Sequence, residues 1–261
     1  MPAIRNAAKL SRHSMDHRFS LTNHSNKRDQ AMNLKRLSLL LCCAALAGCA
    51  TTPPMSLTKL EQQNLKGVTG TVFIPQSELL VTVTQTNAGA TGLLGALIVA
   101  GIDAARRASA AKDAAPMFDQ LHDYDFRVVS KQAFNDAVIK VPDVKFNAPL
   151  EVDSVASSTE KRIVYDNSSA SAVLFVDVRY QLQSGGLYIS ANAVMYPKAS
   201  ELLQFRKKPN ESDPLDAGNA IYRKSFLFGK EHVAAADIKD DLTEGANNIA
   251  TQLAADLNHP L

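Results

Sequence analysis

The chain has 261 residues, of which 46% are hydrophobic and 21% charged, the composition of a chain that folds and not of a disordered one. Its formal charge of +2 conceals two populations: residues 1–48 carry eight basic and two acidic residues, net +6, and the other 213 carry 20 basic and 24 acidic residues, net −4. An acidic bulk without a basic block excludes nucleic acid as its partner.

Residues 1–31 show neither helical nor strand periodicity and hold three of the six histidines, His13, His17 and His24. They are expected to be an upstream extension with the true start at Met32, or else a disordered leader removed with the rest. From Met32 the chain reads MNLKRLSLLLCCAALAGC. Lys35 and Arg36 make a cationic start, and Leu37 to Ala47 make an apolar core too short to span a bilayer, which needs about 20 apolar residues.

Residues 32–48 therefore read as a signal peptide. Its end, Leu46-Ala47-Gly48-Cys49, resembles the lipobox of bacterial lipoprotein precursors. The resemblance implies that Leu46, Ala47 and Gly48 are recognised by the lipoprotein signal peptidase. It further implies that the Cys49 thiol is lipidated and becomes the first residue of the mature protein. Ala50 stands where inner-membrane lipoproteins usually carry Asp, so the resemblance implies the outer membrane, facing the periplasm. All three cysteines, Cys42, Cys43 and Cys49, lie in this segment, so the folded part can hold no disulfide framework or cysteine-rich metal site.

Residues 49–66 are expected to form a tether, with Ala50-Thr51-Thr52-Pro53-Pro54 breaking helix. Residues 67–261 are expected to form one periplasmic domain. Val68–Ile74 and Leu79–Thr86 read as strands separated by a turn at Pro75-Gln76-Ser77. No charge occurs from Leu79 to Ile102. Within that run Ala88 to Ala105 reads as a helix in which Gly92, Gly95 and Gly101 each cost about 1 kcal/mol relative to alanine. Such glycines imply close backbone approach: a buried helix crossing a sheet, a helix-packing or oligomer interface, or a membrane contact. The helix continues toward Leu121, with Pro116 kinking or restarting it and Asp103–Arg107 as an i,i+4 pair.

Phe126–Ser130 reads as a short strand and Lys131–Ile139 as a helix bearing Phe134 and Val138 on one side. Val141–Ser171 reads as irregular loops with two brief strands. Ala172–Tyr196 alternates around Ser184-Gly185-Gly186 as a hairpin, Lys207–Gly218 as an exposed loop, and Ile221–Phe228 as a third strand. Val233–Leu257 places Ile238, Leu242, Ala246, Ile249, Leu253 and Leu257 on one helical stripe. The predicted fold class is α+β, a mainly antiparallel sheet packed by two long helices after a signal peptide and tether.

No motif for catalysis is found: no nucleophile elbow, no metalloprotease helix, no phosphate loop and no calcium loop. His122 sits in the acidic cluster Leu121-His122-Asp123-Tyr124-Asp125, and His232 precedes Asp237, Asp240 and Asp241. Neither has a third ligand at a useful spacing, and the aspartates suit a helix N-terminus. No catalytic residue, cofactor or metal is expected.

The GLLGALI segment, Asp103, Arg106-Arg107 and Asp123-Tyr124-Asp125-Phe126 together resemble the uncharacterised envelope lipoproteins of proteobacteria, a resemblance that brings no activity with it. The leading expectation is a non-catalytic binding or assembly module, held to the membrane by its N-terminal lipid, with a homo-oligomer or an envelope protein as partner. It would bind through the exposed sheet face or the glycine-rich helix. The alternatives are a subunit of an oligomeric secretion or pore complex and a periplasmic enzyme acting on envelope polymers.

Overall fold

The computed structural model describes residues 53–82 and 93–261, with the side chains of 93–103 outside that description. The lipobox residues Leu46, Ala47, Gly48 and Cys49, together with Gly92, lie outside the described residues.

The chain joins the domain well before residue 67. Met55 N donates to Arg223 O at 2.7 Å and Arg223 N to Met55 O at 2.8 Å, and Leu57 is fully buried. Helix α1 (Lys59–Asn64) starts on a reciprocal box in which Thr58 Oγ1 accepts from Glu61 N while the Glu61 carboxylate accepts from Thr58 N. The buried Gln62 donates to Leu257 O. Residues 55–66, expected as tether, thus pack on the folded domain, with Met55, Leu57, Glu61, Gln62 and Leu65 buried.

Strand β1 (Val68–Phe73) pairs in parallel with β3 (Glu151–Asp153) on one side and β4 (Ala172–Gln183) on the other. The chain then reverses through Ser184 and Gly185, at φ +52° and +80°, left-handed values that fit a two-residue hairpin turn. It returns as β5 (Gly186–Pro197), and β6 (Tyr222–Lys230) pairs antiparallel with β5. The order is β3-β1-β4-β5-β6, with β2 (Leu80–Thr82) also parallel to β4. The fold class is α+β as expected. The sheet is mixed: its two longest ladders are antiparallel and its three shorter ones parallel.

Pro75-Gln76-Ser77 does not reverse the chain. Strands β1 and β2 run the same way along one edge of β4, the register stopping at Phe73↔Asp177 and resuming at Leu80↔Gln181. The side chain of Gln76 fills the gap as a surrogate strand, donating to Tyr180 O at 2.8 Å and accepting from Tyr180 N at 3.0 Å. Arg127 fastens the same connector by donating to Ile74 O and Gln76 O.

Helix α2 (Leu93–Gln120) contains Pro116 within one continuous span. Its residues Ala104–Ser109 are exposed, and among its described side chains buried Ala114 and partly buried Met117 dock on the core. The helices that cross the sheet are α3 (Phe126–Val138) and α6 (Ile238–Asn258). Their buried residues include Phe126, Phe134 and Val138 on one and Leu242, Ile249 and Leu253 on the other. Phe126–Ser130, expected as strand, is the first part of α3. Asp125 caps it by accepting from Arg127 N at 2.9 Å, so the cap and the core face override the strand preference of Val128 and Val129.

The stretch Val141–Ser171, expected as loops with two brief strands, holds only one, β3. It also holds helix α4 (Ser158–Asn167), capped by Ser157 accepting from Glu160 N. A short helix α5 (Ser200–Leu203) follows β5.

Candidate interaction surface

The two sheet faces differ in cover. Helices α3 and α6, with the end of α2, lie over one face. On the other, α4 packs through Val164 and Tyr165 on a smaller cluster of Phe73, Val173 and Phe175, with Tyr196 and Leu215 at its margin. Phe175 stands 5.8 Å from Phe73 and 6.2 Å from Tyr196 between ring centroids. Burial pushes the Tyr196 hydroxyl above its ordinary range, with Arg223 pulling the other way.

Beyond that cluster no described element covers the face. Pairing aligns its side chains in rows: Asp177, Asn192 and Ser225, then Arg179, Ser190 and Leu227, then Gln181, Tyr188 and Gly229. Ser225 Oγ donates to Asn192 Oδ1 at 2.6 Å. A Cβ at Gly229 would meet the Tyr188 ring at 3.2 Å, and one at Gly186 would meet it at the same distance, so these two glycines let the ring lie across the sheet. Arg179, Asn192, Ser225 and Leu227 are exposed.

A groove of about 690 Å³ borders this face, between α4, the sheet and the loop at Asp213–Leu215. On its floor Lys161 Nζ meets Asp177 Oδ2 at 2.6 Å and lies 5.2 Å from the Phe73 ring centroid. The helix that forms its wall is fixed from behind by Lys198. This ammonium donates to Tyr165 O, Asp166 O and Ser168 O, the carbonyls that a helix C-terminus leaves unsatisfied. The loop is ordered by the buried Asn219, which donates to Asn210 O at 2.7 Å and Asp213 O at 2.8 Å and accepts from Asn210 N at 3.0 Å. The arrangement is a fixed surface of hydrogen-bonding side chains with one tyrosine and one leucine, suited to recognising a polar macromolecular surface.

Gly95 and Gly101 fall on α2. His122 and Asp123 pair at 2.9 Å with both side chains almost fully exposed; the hydrogen bond from His122 and its charge hold the Asp123 carboxyl below the ordinary carboxylate range. His232 sits in the turn after β6 at φ +56°, away from any cluster: among the described residues no group of three or more His, Cys, Asp or Glu could hold a metal ion. Of the helix-start acids, Asp241 does more than meet a dipole. It is buried and accepts from Lys230 Nζ at 2.6 Å, with Glu244 at 3.1 Å from the same ammonium, and these bonds raise the Lys230 ammonium above its ordinary range. The row of polar residues on the open face follows from the alternation along β4 and β5. The groove could have been approached from the Ser157-x-x-Glu160 cap that announces α4.

Among the described residues no helix is long and apolar enough to cross a membrane. No family model matches the chain, and no curated protein matches its sequence. Three solved structures show a distant likeness. One is an uncharacterised protein, at 9% identity and a TM-score of 0.34, covering 78% of this chain and 96% of that one. Another is the PelC dodecamer from Paraburkholderia phytofirmans, at 8% identity and a TM-score of 0.29, covering 77% of this chain and 92% of that one. A third, from Xanthomonas campestris, belongs to the DUF330 family, at 10% identity and a TM-score of 0.30, covering 78% and 86%. Likenesses at this level do not define a family for the chain.

Proposed function

We propose that this chain is a lipid-anchored envelope protein whose domain is a non-catalytic binding or assembly module at the periplasmic face of the outer membrane. The observation that carries the anchor is the succession of Lys35-Arg36, the apolar Leu37–Ala47 and Leu46-Ala47-Gly48-Cys49, with the folded domain engaging at Met55. Met55 lies six positions after Cys49, which bounds the reach of that linker to about 20 Å. A lipid at Cys49 would therefore hold the domain close to the bilayer, with little freedom to travel.

The observation that supports a binding module is the open sheet face. The polar residues that the fold itself needs, such as Gln76, Lys198 and Asn219, satisfy backbone groups elsewhere. Arg179, Asn192, Ser225 and Leu227 have no such duty and are fixed on the longest strands. The exposed Ala104–Ser109 of α2, preceded by an apolar sequence, offers a second element for an envelope partner.

Metabolic labelling with radioactive palmitate tests the anchor. Labelled protein that shifts to a larger precursor under globomycin, with label abolished by Cys49→Ala, is the expected result. An unlabelled protein of unchanged size would refute the anchor.

A further inference from the structure

We propose that β6 is a pairing edge for a second copy of this chain, the two β6 strands meeting antiparallel about a two-fold axis at Leu227. The other end of the sheet is guarded: β3 is only three residues long, and Lys131 pairs with Glu151 beside it, a short and charged edge of the kind that resists strand addition. Strand β6, nine residues long, is the opposite edge.

Its outward direction is fixed by Met55, which exchanges both backbone hydrogen bonds with Arg223. Backbone groups alternate along a strand, so Ser225, Leu227 and Gly229 point their N–H and C=O groups the same way. Pro53 would be the next residue to continue the Met55 ladder opposite Ser225, and it has no N–H to give. Among the described residues the ladder ends at Met55. Among the described residues the only group that reaches the outer edge beyond Met55 is Gln252 Nε2, a long 3.4 Å from Leu227 O.

The edge is complementary to itself. With the axis at Leu227, the outward residues Ser225, Leu227 and Gly229 oppose Gly229, Leu227 and Ser225 of the second copy, giving about six backbone hydrogen bonds. On the open face Leu227, 64% exposed, meets its own equivalent, flanked by small residues that leave it room. On the helix side Phe226 opposes Phe228, which is only partly buried in the single copy. Lys224 opposes Lys230, but each is already neutralised on its own α6: Lys224 by Asp256 at 3.1 Å, and Lys230 by Asp241 and Glu244. The second acid at Lys230 leaves a surplus negative charge facing Lys224 of the other copy. The register therefore brings apolar groups together and sets no bare like charges opposite each other.

The test uses the full chain with Cys42, Cys43 and Cys49 replaced by alanine. Leu227→Cys places two thiols in a hydrogen-bonded pair, about 5.5 Å between Cα atoms, within the range that a disulfide bridges. Mild oxidation should give a covalent dimer on a non-reducing gel. Ser225→Cys is the register control, since its two copies would lie four residues apart, about 13 Å, and should not cross-link. Leu227→Pro removes an outward N–H without touching the ladder to β5; it should keep the circular dichroism of the parent and halve the mass by light scattering. Absence of the Leu227→Cys dimer, equal cross-linking through Ser225→Cys, or an unchanged mass for a folded Leu227→Pro would each overturn the pairing. The readout needs no lipid, so it fails or succeeds independently of palmitate labelling at Cys49.

Discussion

On one face of the sheet β4 presents Leu174, Val176, Val178, Tyr180 and Leu182, none more than 4% exposed, whereas on the other it presents buried Phe175, half-buried Asp177, exposed Arg179 and half-buried Gln181. The backbone is the same; only the parity differs. The helix-covered face carries the hydrophobic stabilisation, and its residues are chosen by what packs on them. The open face beyond Phe175 contributes little to the fold, so its polar pattern is free to serve recognition. A stability measurement and a binding measurement should therefore separate along the two parities of one strand.

The largest effect should come from the covered face. Leu174→Ala removes a fully buried side chain between the sheet and its helices and should cost about 2–5 kcal/mol in urea unfolding. A cost below about 1 kcal/mol would break the distinction between faces. Gly245→Val tests the closest approach of α6 to the sheet: a Cβ there would press on Ile189 Cδ1 and lie 2.8 Å from Phe228 Cδ1. Overpacking of this kind should cost about 1–3 kcal/mol in the same assay. Gln76→Ala removes the surrogate strand at Tyr180 and should cost about 1 kcal/mol, with faster amide exchange at Tyr180 as its local signature. Arg179→Ala and Asn192→Ala on the open face should leave stability within about 0.5 kcal/mol of the parent while weakening partner capture in the envelope.

The faces were legible in the sequence to different degrees. The β4–β5 hairpin and α6 were plain, because strict alternation around Ser184-Gly185 and a long stripe from Ile238 to Leu257 are periodic signals that little else can produce. The open face followed from the same alternation. What was lost lay in short elements announced by caps. Thr58-x-x-Glu61 starts α1 inside the expected tether, and Ser157-x-x-Glu160 starts α4 inside the expected loops; both are helix-start patterns without enough apolar periodicity after them to stand out. Phe126–Ser130 misled because two adjacent valines favour strand locally, while Asp125 and the buried Phe126, Phe134 and Val138 decide for helix. The parallel placement of β1 and β2 along one edge of β4 depends on Gln76 reaching Tyr180, more than 100 residues away in sequence, and no local pattern encodes that.

The measurement that bears most directly on the two-faced sheet is site-specific photo-cross-linking in intact cells. A photoreactive phenylalanine analogue would replace Arg179 or Asn192 on the open face, and Val128 on the solvent side of α3 or Ile139 at its C-terminal cap, where the native residues are 64% and 81% exposed. Discrete adducts are expected from Arg179 and Asn192 and none from Val128 and Ile139. Adducts from Val128 and Ile139 alone, or equal adducts from both sets, would contradict this division of the two faces.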